Sequence, residues 1–300
     1  MEKTHSFAGR FALLASAFIW GTSFVVLKSA INCMGTQWVL AIRFSISALL
    51  MFLMAGKKLK AMSKKAVMGS ILMGICLTGG YIVQTYGLKY TTPGKNAFLS
   101  ATYCVLVPFF YWIAYKKKPG MSAVVAGILC IIGLGFVSLG SADKGLNIGD
   151  LLTLCCGIFY AIQIIMMERY LPEGNAVSIS AIQFLTGAII CWTLALIFEE
   201  PPTAVPASAW FNIMYLAVLC TAACFFFQAW GMQYTPSSTA AVIMSLEAVF
   251  GALISIIFYH EQFTFKMLLG FSFIFASVLT AELKPKLRPV EKLKKLRSST

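Results

Sequence analysis

Stretches of about 20 apolar residues follow one another along the whole chain, each long enough to cross a bilayer core of ~30 Å. Ten spans are read, at about 10–31, 37–55, 66–88, 95–115, 121–140, 149–167, 177–198, 210–231, 236–258 and 266–283. The loops between them are short, often rich in Gly, Pro or Lys, and leave no room for a soluble domain. In lipid every backbone polar group must find its partner internally, so spans of this length are expected to be helices. The expected fold class is an all-α integral membrane protein with ten transmembrane helices. Composition agrees: 59% of residues are hydrophobic and 12% charged, about half the charged share of a soluble domain. The first run has no small-residue cleavage site after it and is read as an uncleaved first helix.

The net charge of +13 belongs to loops between apolar runs, which points to membrane topology and away from nucleic acid. With the N-terminus cytoplasmic, eighteen lysines and arginines fall on that side and five on the other: Lys28, Lys89, Lys95, Lys144 and Lys266. The expectation is a multi-pass protein of the cell membrane with both termini cytoplasmic. A basic tail, 285–300, is expected to lie on an anionic leaflet. The nine cysteines show neither CxxC nor Cys/His ligand spacing and are read as small hydrophobes.

The chain also repeats itself. At a spacing of 144, Gly87 falls on Gly231, Tyr90 on Tyr234, Thr91 on Thr235 and Tyr103 on Glu247. At a spacing of 140, Ala41-Ile42-Arg43-Phe44 falls on Ala181-Ile182-Gln183-Phe184, Gly9 on Gly149, Trp20 on Tyr160 and Ser23 on Gln163. Each copy holds five spans, and an odd number makes the second copy enter from the opposite side. Two inverted five-helix repeats are therefore expected, 1–145 and 146–284, with a substrate site near the midplane between them.

The run Ile19-Trp20-Gly21-Thr22-Ser23-Phe24, the Ala41-Ile42-Arg43-Phe44 block, the Tyr-Thr turns opening the fourth and ninth spans, the Leu246-Glu247 pair and the exit Tyr259-His260-Glu261 together resemble the EamA branch of the drug/metabolite transporter superfamily. The resemblance covers nearly the whole chain. It implies ten helices in two inverted repeats, a central cavity and secondary export of small metabolites, often amino acids or their analogues. The family commonly has Glu-Pro where this chain has Glu247-Ala248, while the first copy carries Pro108, so a straight ninth helix is expected.

Helical spacing sorts the polar residues into stripes. Ser16, Trp20 and Ser23 share a face of the first span, and Cys156, Tyr160 and Gln163 share the matching face of the sixth. Asn96, Ser100 and Tyr103 line the fourth; their partners in the ninth are Ala240, Met244 and Glu247. Gln84 and Gln228 occupy matching positions in the third and eighth. Aromatic walls with a few hydrogen-bonding groups suit a small zwitterionic or aromatic solute. The bland alternative is that Ser, Thr and Gln serve as interhelical glue, about half a kcal/mol each. Arg43 sits ~9 Å from its span's outer end, close enough to snorkel. Glu247 is mid-span, where an ionisable residue marks a functional site by default; pairing with a cation, binding an amine and carrying a proton all remain open. Trp38 and Trp210 read as interfacial anchors, and Gly79-Gly80 as a flexible point or a close helix approach.

No HExxH, Asp-rich cluster or GxxxxGK[ST] occurs, and the two histidines are His5 and His260, so neither enzyme chemistry nor direct ATP use is expected. No cofactor or metal is expected. The partners are a small-molecule substrate and the lipid bilayer, with small-residue helix faces that would also serve a homodimer. Drug, amphiphile or lipid efflux on the same scaffold is the alternative function.

Overall fold

The computed structural model describes residues 2–116, 118–140, 147–235 and 237–282. Within them the chain is helical, with no strand: α1 (Glu2–Cys33), α2 (Thr36–Ala55), α3 (Lys64–Tyr90), α4 (Pro93–Ser100), α5 (Tyr103–Tyr115), α6 (Met121–Gly140), α7 (Ile148–Tyr170), α8 (Ala176–Phe198), α9 (Ala207–Ala217), α10 (Cys224–Tyr234), α11 (Ser237–Tyr259) and α12 (Phe265–Glu282). Seven helical rods are long and apolar enough to cross a bilayer. Three shorter apolar helices, Met121–Val137, Ile243–Tyr259 and Phe265–Thr280, stand where the fifth, ninth and tenth spans are expected. Large apolar side chains such as Phe11, Leu53, Ile131, Leu196, Phe211 and Phe258 point outward, as lipid contact requires. The tail beyond Glu282, Lys144 and the Ala240 side chain lie outside the described residues.

Helix starts follow local chemistry. Ser63 and Thr92 accept from the amides of Ala66 and Lys95, and Asn147 with Asp150 forms a capping box on α7. Two further starts are capped from far away in sequence. The Glu199 carboxylate accepts from the amides of Gln37 and Trp38 at the start of α2, at 3.0–3.3 Å. Glu261 accepts from the Gly94 amide at 3.0 Å and from the hydroxyls of Thr92 and Ser255. A carboxylate at a helix N-terminus meets both unpaired amides and the positive end of the helix dipole.

The two halves make the same contacts with their members exchanged. Gly9 of α1 packs on Gly231 of α10, and their repeat counterparts Gly149 of α7 and Gly87 of α3 pack on each other. At both crossings a Cβ would meet a backbone carbonyl, 2.8 Å away at Gly231 and at Gly87. Likewise Phe44 meets Tyr81 at 5.3 Å, while Phe184 meets Phe225 at 5.2 Å. Tyr81 meets Tyr160 at 5.9 Å, while Trp20 meets Phe225 at 5.5 Å. A two-fold axis relating the copies exchanges these pairs. Phe44 and Phe184, which touch each other, lie on it.

The copies differ in two places. Helix α3 uses 27 residues. Its counterpart uses 11 in α9, 6 in a π-helical turn over Val218–Ala223 and 11 in α10, one more in all. A π turn closes each bond over five residues, which absorbs a single extra residue without ending the rod. The second difference is at the α4–α5 joint. There Cys104 bonds to Ala101 and Val105 to Thr102 over three residues, and the Ser100 and Thr102 hydroxyls donate to Ala97 and Leu99. Pro108, within α5, cannot donate a backbone bond. Its counterpart α11 has no proline and runs as one unbroken helix, with Ala248 where the family commonly has proline.

Candidate functional site

Where the aromatic pairs flank the axis, the helices enclose a cavity of about 90 Å³. Nine residues named from the sequence line it: Trp20, Ser23, Arg43, Gln84, Tyr103, Tyr160, Gln163, Gln228 and Glu247. Phe24, Leu27, Leu77, Tyr81, Ile164 and Phe225 complete the wall. The sequence already held a signal for two of these. Tyr81 and Phe225 are aromatic at the same spacing of 144 that relates Gln84 to Gln228.

The other three named residues are elsewhere. Ser16 is fully buried, donating to the carbonyls of Ala12 at 3.0 Å and Cys224 at 3.3 Å. Asn96 donates to the Gln84 carbonyl at 3.3 Å and the Thr153 hydroxyl at 2.7 Å. Ser100 donates to Ala97 of its own helix. Ser16 and Asn96 thus bond across to neighbouring helices, whereas Ser100 bonds within its own. Asn96 faces α3 and α7, while Tyr103, beyond the tightened turn after Ser100, reaches the cavity wall.

Arg43 does not snorkel. It is 1% exposed; its Nε donates to the Thr221 hydroxyl at 2.6 Å, and its guanidinium lies 4.7 Å over the Tyr81 ring. Thr221 in turn donates to the Leu216 carbonyl five residues back, a bond the π turn makes possible. The matching position in the regular helix α3 is Leu77. The π turn of the second copy thus places a hydroxyl beside the arginine of the first. Nothing in the sequence pattern announces a π turn, so Thr221 escaped notice.

Glu247 is 8% exposed and forms no ion pair with a described residue. The cavity thus carries one cation and one carboxylate that are not spent on each other. Gln84 accepts from the Tyr160 hydroxyl at 2.7 Å, and Gln163 donates to Gln183 at 3.2 Å. Gly79 and Gly80 mark a close approach: a Cβ on either would strike the rings of Phe159 and Tyr160, so the glycines let Tyr160 reach the wall.

Among the described residues, a buried ion pair lies outside the cavity. Lys95 meets Asp150 at 2.8 Å, and Thr91 donates to the same carboxylate. Lys95, counted from the sequence among the five cations opposite the termini, is thus a buried partner of α7. Beside it Lys28 donates to the carbonyls of Leu88, Lys89 and Thr91, closing the end of α3. Trp38 is likewise buried, its indole donating to the Glu200 carbonyl at 3.0 Å, and so is no interfacial anchor, whereas Trp210 is half exposed. All nine cysteines are free, and no metal-ligating cluster occurs among the described residues.

The EamA-like transporter family pattern matches residues 7–139 and 147–281, one match per copy. The chain belongs to this family. Its relatives include an uncharacterized transporter of Archaeoglobus fulgidus, 33% identical over 89% of this chain and 83% of the relative. An uncharacterized Bacillus subtilis transporter, YoaV, is 22% identical over 86% of this chain and 91% of its own length. A solved crystal structure of a protein 14% identical superposes with a TM-score of 0.68 over 91% of this chain and 96% of that one, a likeness of fold. This EamA-like chain is a multi-pass membrane transporter.

Proposed function

We propose that the chain is a secondary transporter of the cell membrane, with ten transmembrane helices in two inverted repeats. It exports a small metabolite, an amino acid or a close relative, by alternating access through the central cavity. The observation that carries this reading is the pair Arg43 and Glu247, which line one cavity without pairing with each other. An uncompensated buried charge costs several kcal/mol, so each calls for an opposite charge from the solute. A zwitterion supplies both. The cavity's size points the same way: about 90 Å³ holds several water-sized groups at roughly 10–15 Å³ each, not a lipid tail. The contacts exchanged between copies give two halves that can rock about a fixed site. The end carrying Glu199, Glu261, Lys28 and Lys95–Asp150 is closed by polar links in this arrangement. With the termini cytoplasmic, that is the outer end.

The test is growth resistance. Cells expressing the wild type or Glu247→Gln are challenged with excess amino acids, toxic analogues, nucleosides and cationic dyes. Resistance to one metabolite class that vanishes in the variant is the expected result. Resistance to dyes alone would favour drug or amphiphile efflux.

A further inference from the structure

Two equivalent clusters flank the axis, each built from both copies, and they differ at three neighbouring positions in a way that leaves acceptors without donors. On one side of the axis Tyr160 of the second copy donates its hydroxyl to the Gln84 side-chain oxygen of the first at 2.7 Å, and the Tyr103 ring lies edge-on to Tyr160 at 6.2 Å. The counterparts of Tyr160, Gln84 and Tyr103 are Trp20, Gln228 and Glu247. Trp20 spends its only N–H elsewhere, on the Cys220 carbonyl in the π turn, at 2.8 Å. The Gln228 Oε1 is therefore buried with no partner, in a side chain 7% exposed that lines the cavity. Where the first copy has the Tyr103 phenol, the second puts the Glu247 carboxylate, which also has no described donor.

We propose that Gln228 Oε1 and the Glu247 carboxylate form a subsite for a protonated primary amine. The donor count selects this ligand. An ammonium group offers three N–H donors, matching two carboxylate oxygens and one amide oxygen, and charge-assisted bonds of this kind are about twice as strong as neutral ones. A hard metal ion would need about six or more oxygen ligands, which this wall does not supply. The assignment rests on the central cavity being the substrate cavity. It adds which end of the solute faces which helices: the amine faces α10 and α11, and the anionic group faces Arg43 on α2.

Direct binding in detergent tests this without any transport step. The purified full-length protein is titrated calorimetrically with n-butylammonium and with butyltrimethylammonium at neutral pH. The primary amine is expected to bind at least tenfold more tightly, because the quaternary ion keeps the charge and loses every donor. Glu247→Gln should weaken the primary amine at least tenfold and Gln228→Leu about fivefold, with unchanged elution volume and helix content. Equal binding of the two ions by the wild type overturns the subsite whether or not the variants fold, as does an undiminished affinity in a folded Glu247→Gln. If amines bind as expected while no metabolite is exported, the subsite stands and the export reading falls. Export without amine selectivity has the opposite meaning.

Discussion

Phe44 and Phe184 stack with ring centroids 6.2 Å apart and planes 21° from parallel, and each is the other's counterpart in the repeat. A side chain that touches its own counterpart lies on the axis relating the copies. Both rings are fully buried, in the layer directly beneath the cavity aromatics. Phe44→Ala and Phe184→Ala should therefore each cost about 3–5 kcal/mol, the usual price of a large core truncation. Thermal unfolding in detergent should show similar losses for the two, and the double variant should lose less than their sum. Additive losses would separate the rings energetically and argue against the shared contact.

Thr221 holds Arg43 through its Nε at 2.6 Å. A hydrogen bond to a charged group contributes roughly 1.5–3 kcal/mol. Thr221→Val should raise the KM for the exported solute about tenfold or more, with a smaller change in kcat, and Thr221→Ser should retain most of the wild-type KM. A valine variant with unchanged KM would remove Thr221 from the site.

The parts of the site that were legible are those that repeat. Trp20 with Tyr160, Gln84 with Gln228 and Tyr103 with Glu247 recur at fixed spacings, and spacing alone brought them to one cavity. The helices were legible for the simpler reason that lipid leaves an apolar run no other choice. What escaped depends on single-residue events in the backbone. A π turn over Val218–Ala223 carries Thr221, whose hydroxyl meets Arg43. A tightened joint follows Ser100, and Asn96 and Ser100 bond to helix groups and do not line the cavity. The Lys95–Asp150 pair escaped for a different reason: a charge count weighs every lysine equally and has no way to see Asp150 across the helix interface.

Lys95 and Asp150 are 7% and 0% exposed, so neither can turn to water when its partner is lost. Breaking such a pair from one side costs about 3–5 kcal/mol. Asp150→Ala should lower the melting temperature sharply, and Lys95→Met added to it should recover part of the loss by removing the orphaned charge. No recovery would show that Asp150 acts chiefly through its capping box with Asn147 and its bond from Thr91.

The glycine crossings give a pair of opposite expectations. A Cβ on Gly149 would lie 2.8 Å from the Tyr90 carbonyl carbon and 2.9 Å from the Thr91 amide nitrogen, both backbone atoms, whereas a Cβ on Gly135 meets nothing within 4 Å. Gly149→Ala should destabilise by forcing α3 and α7 apart. Gly135→Ala should be neutral or gain up to about 1 kcal/mol of helix propensity. Melting curves of the two variants decide it, and equal effects would contradict the close crossing.

Counterflow in reconstituted vesicles tests the transport claim most directly. Vesicles carrying the purified protein are preloaded with unlabelled amino acids and offered each labelled amino acid outside, alongside a cationic dye. The account predicts that at least one labelled amino acid accumulates, and that folded Glu247→Gln lowers its accumulation at least tenfold. Exchange of the dye with no exchange of any amino acid would contradict it.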